Sequence, residues 1–317
     1  MKADLKVGTL CAQAGEKTRG ILSVPGGAAK LPTTLINGAK AGKTVLLTSG
    51  IHGGEYPGIQ AAIELARELE PAALHGKVIL VHPANPAAFT ARVSYINPTD
   101  GKNLNRAFPG DAAGTETERL ADFITREMIA QADFSCDMHG GDLHEALPPY
   151  VIYSAAGDGQ TAEQARDAAK TFDVGFILRS VATGGIYGNA ARRGIPGILV
   201  ERGGCGLWSR AEVDAYKADI LNLLRHLGLL GGEVTRRDRV DEVVENVVVR
   251  ASQDGFWYPF AQPEERVSKG QKIGELRDAF GEVLDTYFAD FDAMIIYIIT
   301  SLAVNDGAPV ISYGRFE

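Results

Sequence analysis

The sequence predicts an α/β chain, a mixed sheet with helices on both faces, followed by a small all-β unit. Three observations predict it. From Thr44 to about Gly232, short β-branched runs alternate with longer stretches of helical periodicity. After Glu242 that periodicity stops, and short strand-like runs are divided by Asp254-Gly255, Lys269-Gly270 and Asp306-Gly307. A chain of 317 residues also suffices for two units with sizeable cores. The units are read as residues 1–232 and 243–317, joined by the charged stretch Glu233 to Glu242.

Taken in order, Val45–Thr48 belongs to an apolar run, β-branched at its start, which reads as a strand buried on both faces. Gly50, Gly53 and Gly54 break it. Pro57 and the spacing of Ile59, Ala62, Ile63, Ala66 and Leu69 then predict a helix. Val78–His82, Phe134–Met138, Tyr150–Tyr153, Gly175–Leu178 and Ile198–Val200 read as further strands. Glu118–Ile129, Ala162–Thr171 and Ala211–Leu227 read as helices. Thr115-x-x-Glu118 and Ser209-x-x-Glu212 have the form of capping boxes, and Gly231 and Gly232 are read as ending the last helix. Val247–Val249, Phe256–Tyr258, Lys272–Glu275, Val283–Tyr287, Ala293–Ile299 and Val310–Ser312 are the strands of the second unit. Their spacing is similar to that of the barrel-sandwich domains of biotin and lipoyl carriers. No Lys stands at a Met-Lys-Met-like hairpin tip, so no attached cofactor is expected.

The net charge of -8 argues against nucleic acid or an anionic membrane as partner. An anionic ligand must then be held by local Arg residues rather than by the overall field. Cys11, Cys136 and Cys205 are odd in number, widely spaced and form no C-x-x-C, which suggests a reducing compartment. Met1 to Gly20 has no apolar core, so no signal peptide is expected. The longest apolar run, Ala293 to Val304, is too short to span a bilayer. A cytoplasmic location follows as the expectation, with self-assembly into a homo-oligomer left open.

Three runs carry the chemistry. Leu47-Thr48-Ser49-Gly50-Ile51-His52-Gly53-Gly54-Glu55 places an H-x-x-E at the mouth of a buried strand. Asp133 to Gly141 ends a second strand in His139 and two glycines, and Gly197 to Gly204 ends a third in Glu201. In a parallel sheet those ends converge, where open α/β sheets bind ligands. Two imidazoles and a carboxylate form a hydrolytic zinc set with one position left for water, and Glu201 is then free to act as base. Asp137 shares a strand face with His139 and is either a partner that orients its ring or merely solvated. His75 and His82 lack partners at metal spacing. His144-Glu145 is a rival ligand pair, discounted because Gly140 and Gly141 turn the chain first. Gly184 to Gly188 reads as a flexible turn near the mouth, Cys136 as a small core residue, and Cys205 as a buried free thiol in preference to a nucleophile or fourth ligand near the metal.

These residues resemble the zinc carboxypeptidase-like amidohydrolases, specifically the succinylglutamate desuccinylase/aspartoacylase family. The resemblance runs from about Val45 to Gly204 through G-I-H-G-G-E, N-P-A-A-F, D-G-K-N-L-N-R-A-F-P-G, D-M-H-G-G and V-E-R-G-G, in that order. It implies one Zn2+ per chain held by His52, Glu55 and His139, with Glu201 as the catalytic carboxylate. It further implies that Asn105 and Arg106 hold a substrate carboxylate with help from Arg92, and that the second unit shapes the active-site mouth. Taken alone, the Asn105-Arg106 loop reads more readily as one stapled by its own side chains; beside a metal site the carboxylate-binding reading takes over. Aspartoacylases proper resemble H-G-N-E and D-L-N-R, whereas this chain has Gly54 and Asn103. The expected activity is hydrolysis of the amide bond of a small N-acylated amino acid. Two rivals stay open: a metallocarboxypeptidase on short peptides, and a metal-binding protein without catalysis.

Overall fold

The computed structural model describes residues 4–237 and 239–317. Residues 1–3 of the first expected unit, and Asp238 in the expected linker, lie outside the described residues. Two hairpins open the chain: β1 (Leu5–Val7) with β2 (Leu10–Ala12), and β3 (Lys17–Ser23) with β4 (Lys30–Asn37). The α/β alternation follows as β5 (Lys40–Ser49), α1 (Tyr56–Glu68), β6 (His75–Val81), α2 (Pro86–Ala91), α3 (Glu116–Glu127) and β7 (Phe134–His139). It continues through β8 (Glu145–Ala146), β9 (Tyr150–Ser154), α4 (Gly159–Ala169), β10 (Phe176–Ser180), α5 (Ile186–Ala191), β11 (Gly197–Glu201) and α6 (Arg210–His226). The rest is strand: β12 (Asp241–Arg250), β13 (Gly255–Pro259), β14 (Arg266–Val267), β15 (Lys272–Arg277), β16 (Val283–Phe288), β17 (Ala293–Ile299), β18 (Ala303–Val304) and β19 (Pro309–Phe316).

One sheet of 13 strands runs through the molecule in the order β14-β17-β19-β12-β10-β9-β11-β7-β5-β6-β4-β3, with β8 paired to β17 at its side. It is mixed, as expected. β6, β5, β7 and β11 run parallel, while β9 lies antiparallel to β11. Alternate side chains of the central strands feed two cores, as a strand buried on both faces requires. Val45, Leu47, Cys136, Met138, Ile198 and Val200 pack with α1, α4 and α6 on one face. Leu46, Ile79 and Val81 pack with α3, α5 and the N-terminal strands on the other.

The C-terminal strands divide. β12, β19, β17 and β14 extend the main sheet, because β12 pairs in parallel with β10 at Phe176↔Asp241. β16, β15, β13 and β18 form a separate antiparallel sheet in that order. Trp257, Ile273 and Leu276 of the small sheet share a core with Ile295, Ile298 and Tyr313 of the large one. No helix follows α6 among the described residues.

Two local expectations are corrected. The last helix does not end at Gly231 and Gly232 but at a Schellman motif around Gly228. There φ is +80°, Gly228 N–H bonds Arg225 O at 3.0 Å, and Leu229 N–H bonds Leu224 O at 2.8 Å. Leu229 continues the apolar pattern only because it folds back into the core. Nor is Gly184 to Gly188 a flexible turn. Gly185 is the N-cap of α5, and all six residues of that helix are buried. Packing of Ile186 and Ala190 in the second core offsets the poor helix propensity of its Gly and Asn.

Candidate active site

β11, β7 and β5 lie side by side and parallel, and their C-terminal ends carry the chemistry. His139 and Glu201 are the last residues of β7 and β11, and the register pairs them directly. Past β5 the chain turns at Gly50, with φ +66°, into a loop that presents His52 and Glu55. Glu55 is the N-cap of α1, yet its side chain caps nothing there. The loop is braced from below. A Cβ at Gly53 would lie 2.3 Å from the Ala88 backbone of α2. Asn85 caps α2 by accepting Ala88 N–H at 3.3 Å and donates Nδ2 to Ile51 O at 3.3 Å. The N-P-A-A-F motif is therefore the buttress of G-I-H-G-G-E.

His52 Nδ1 stands 2.7 Å from Glu55 Oε1. His139 Nδ1 stands 3.0 Å from Glu55 Oε2 without the alignment of a hydrogen bond, so that buried oxygen keeps no donor. One ligand atom from each of the three lies within 4.8 Å of the others, and all three residues are buried. The far ring nitrogens are claimed from behind. His139 Nε2 is 3.0 Å from Asp137 Oδ2, whose other oxygen accepts Thr48 Oγ1 at 2.6 Å. His52 Nε2 is 3.2 Å from Asn103 Oδ1, which also accepts Asn105 N–H at 2.8 Å. Both Nδ1 atoms are thereby turned toward Glu55. Two nitrogens, a carboxylate with an unclaimed oxygen and acceptors behind each ring make a donor set that fits a divalent cation such as zinc.

The electrostatics agree with that fit. Burial works to raise the Glu55 carboxyl, but the His139 and His52 charges outweigh it and hold it at about 2. Burial opposes charge on His139, but Glu55 and Asp137 hold its imidazole well above the usual range. Surroundings that favour a proton there also favour a metal cation in its place. Glu201 moves the other way. Burial raises it far above the carboxylate range, His139 pulls against this, and Glu55, Glu145 and Asp137 add to the rise. Its Oε2 is buried without a partner.

A cavity of about 500 Å³ opens over these residues. It brings together His52, Glu55, His139, Glu201, Asn105 and Arg106. Arg92 lies elsewhere: it is the left-handed C-cap of α2, with φ 55°, and lines a separate groove with Tyr56, Phe89 and Trp208. His75 and His144 are exposed, and His82 bonds Thr34 Oγ1 at 3.1 Å while burial lowers its pKa. Cys136 is in the core, and Cys205 Sγ approaches Glu145 O at 3.6 Å without lining the cavity. Sequence reasoning missed Tyr95, Tyr150, Tyr187, Arg250 and Tyr297, which also line it. It weighed Glu145 only as a rival metal ligand; Glu145 lines the cavity but stands outside the three-residue set. The departures at Gly54 and Asn103 have local reasons. A Cβ at Gly54 would meet Asp142 Oδ1 at 2.2 Å, and the Asn103 carbonyl already supplies the acceptor His52 needs.

No helix among the described residues is long and apolar enough to cross a membrane. Comparison with known proteins agrees with the geometry. The chain is 30% identical over 259 residues to the N-alpha-acetyl-L-2,4-diaminobutyric acid deacetylase of Halomonas elongata, covering 80% of this chain and 75% of that protein. Among solved structures, a succinylglutamate desuccinylase from Silicibacter sp. TM1040 matches with a TM-score of 0.87 and 26% identity over 100% of both chains. The product-bound ectoine utilization protein EutE (DoeB) of Ruegeria pomeroyi matches with a TM-score of 0.87 and 27% identity over 99% of both. The sequence profile of the succinylglutamate desuccinylase/aspartoacylase catalytic domain matches residues 41–227, the stretch that holds every strand end described above. This chain thus belongs to the succinylglutamate desuccinylase/aspartoacylase family.

Proposed function

We propose that the protein is a zinc-dependent deacylase that hydrolyses the amide bond of small N-acylated amino acids, with one zinc per chain. The observation that carries this reading is the pairing of a buried His52–Glu55–His139 set with an unpartnered Glu201 in one cavity that also holds Asn105 and Arg106. The deacetylase named above acts on a substrate of this kind. Zinc bound there would supply Lewis acidity, polarising the scissile carbonyl and acidifying water.

The chain's own groups do the rest. Glu201 takes a proton from the attacking water on its free oxygen and passes it to the leaving amine nitrogen. Its raised affinity for a proton suits it to hold that proton between the two events. Asp137 and Asn103 keep the imidazoles turned so that their Nδ1 atoms face Glu55. Arg106 and Asn105 anchor a substrate carboxylate by charge-assisted bonds, which fixes the reacting carbonyl in place. Arg92, in the neighbouring groove, is given no part at the reacting carbonyl. The three free cysteines support a cytoplasmic site of action.

The test is a panel of N-acetyl amino acids set against dipeptides with the zinc-loaded protein. Hydrolysis of the former is expected. Turnover of dipeptides alone would make the protein a carboxypeptidase, and inertness to both would make it a binding protein. Glu201→Gln should keep its zinc and lose at least about 10²-fold in kcat. Loss of zinc with an unchanged rate per bound metal would make Glu201 a ligand instead.

A further inference from the structure

Glu145 is a half-buried carboxylate in the catalytic cavity that the steps above do not use. Its backbone is fixed on three sides. Its N–H reaches Asp142 O at 3.3 Å, its carbonyl accepts Cys205 N–H at 3.0 Å, and β8 pairs it with Ile299 of β17. Its side chain lines the catalytic cavity. There Oε2 accepts the Tyr95 hydroxyl at 3.1 Å, while no protein donor is assigned to Oε1. Tyr95 is itself held in a left-handed conformation, φ 58°, with its N–H on Asp142 Oδ2 at 2.8 Å. Among the described residues no Lys, Arg or His pairs with the Glu145 carboxylate.

A half-buried carboxylate with no cationic partner is stabilised by a ligand that brings the cation and closes it off from water. The cavity holds two other charged groups outside the metal set and Glu201. Arg106 sits beside Asn105, and Arg250 is exposed at the rim with Nη1 on Gly307 O at 2.8 Å. The cavity therefore offers cationic groups for an anion and, in Glu145, a preset acceptor for a cation. We infer that Glu145, positioned by Tyr95, reads an ammonium group on the side chain of the substrate. The deacylase then prefers N-acyl diamino acids to neutral or acidic ones. The inference rests on the deacylase reading above and adds to it the residue that selects the substrate.

The experiment compares N-acetyl-L-2,4-diaminobutyrate with N-acetyl-L-norvaline, which replaces the ammonium by a methyl of similar size, and with N-acetyl-L-aspartate. Wild type should favour the diamino substrate in kcat/KM. In Glu145→Gln the diaminobutyrate-to-norvaline ratio should fall roughly 10- to 100-fold, the worth of a charge-assisted hydrogen bond. Tyr95→Phe should lower the same ratio less. Norvaline turnover and zinc content report whether each variant is folded. Binding of free 2,4-diaminobutyrate and norvaline to the zinc-loaded protein, followed by calorimetry, gives a readout that needs no turnover. If nothing is hydrolysed, the deacylase reading fails, yet a diaminobutyrate preference lost in Glu145→Gln still upholds Glu145. Equal losses on both ligands, or a wild-type preference for N-acetylaspartate, would overturn the assignment and turn attention to Arg250.

Discussion

Each imidazole of the site is held by its far nitrogen, and the two holders differ in how readable they were. Asp137 was legible, because the strand period of two puts it on the face of His139, and the 3.0 Å contact follows. Asn103 was not, because α1, β6 and α2 separate it from His52 and no spacing ties the two; only folding brings its carbonyl within 3.2 Å of the ring. Asp137→Asn should weaken zinc affinity by about 10- to 100-fold, measured by competition with a chromophoric chelator. Unchanged affinity would mean that the strand alone orients the ring. Arg106→Ala should lower kcat/KM by roughly 10²-fold on N-acyl amino acids. Substrates amidated at the carboxylate should be poor for wild type and little affected by the change. Equal losses on acid and amide substrates would reduce Arg106 to a brace for its loop.

Among the elements, those with strong periodicity were legible to within a few residues: β5, β7, β11, α1, α3 and α6. The N-terminal hairpins and α5 were not. β3 and β4 interrupt their apolar residues with Lys17, Arg19, Gly20, Lys30 and Pro32, and their pairing with each other and with β6 is a long-range fact. α5 is too short for a period to show. The α1–α6 contact also rests on groups a pattern search skips. Glu64 of α1 accepts Arg210 Nη1 at 2.7 Å and Lys217 Nζ at 2.9 Å from α6. Those bonds, Arg210 first, hold the Glu64 carboxyl at about 2 against an ordinary 4.5. A depressed carboxyl stabilises the fold fully above about pH 4.5, and that stability fades as the pH falls toward 2. The partners are partly solvated, so Glu64→Gln should cost only about 0.5–1 kcal/mol at pH 7. Urea midpoints should show the gap between variant and wild type shrinking by about pH 3. A gap that persists there would assign the loss to packing instead. Gly54→Asn, which restores the aspartoacylase spelling, should disrupt the loop, since its Cβ would meet Asp142 at 2.2 Å. Its zinc content should fall with its stability in thermal melts.

At the scale of the whole molecule, the class was legible because alternation and its end are compositional. The sharing of one sheet by both halves was not. β12 joins β10, and β17 takes β8 as a side partner, through backbone bonds between stretches far apart in sequence. That sharing sets Arg250 and Tyr297 over a site built by β5, β7 and β11, and no spacing in the sequence announces it. The proposed zinc centre draws its three residues from two strand ends. Zinc analysis of purified wild type and His139→Ala tests it most directly, by mass spectrometry after extensive dialysis. Close to one zinc per wild-type chain and almost none in the variant is expected, with activity lost in step. Full zinc occupancy in His139→Ala would contradict it.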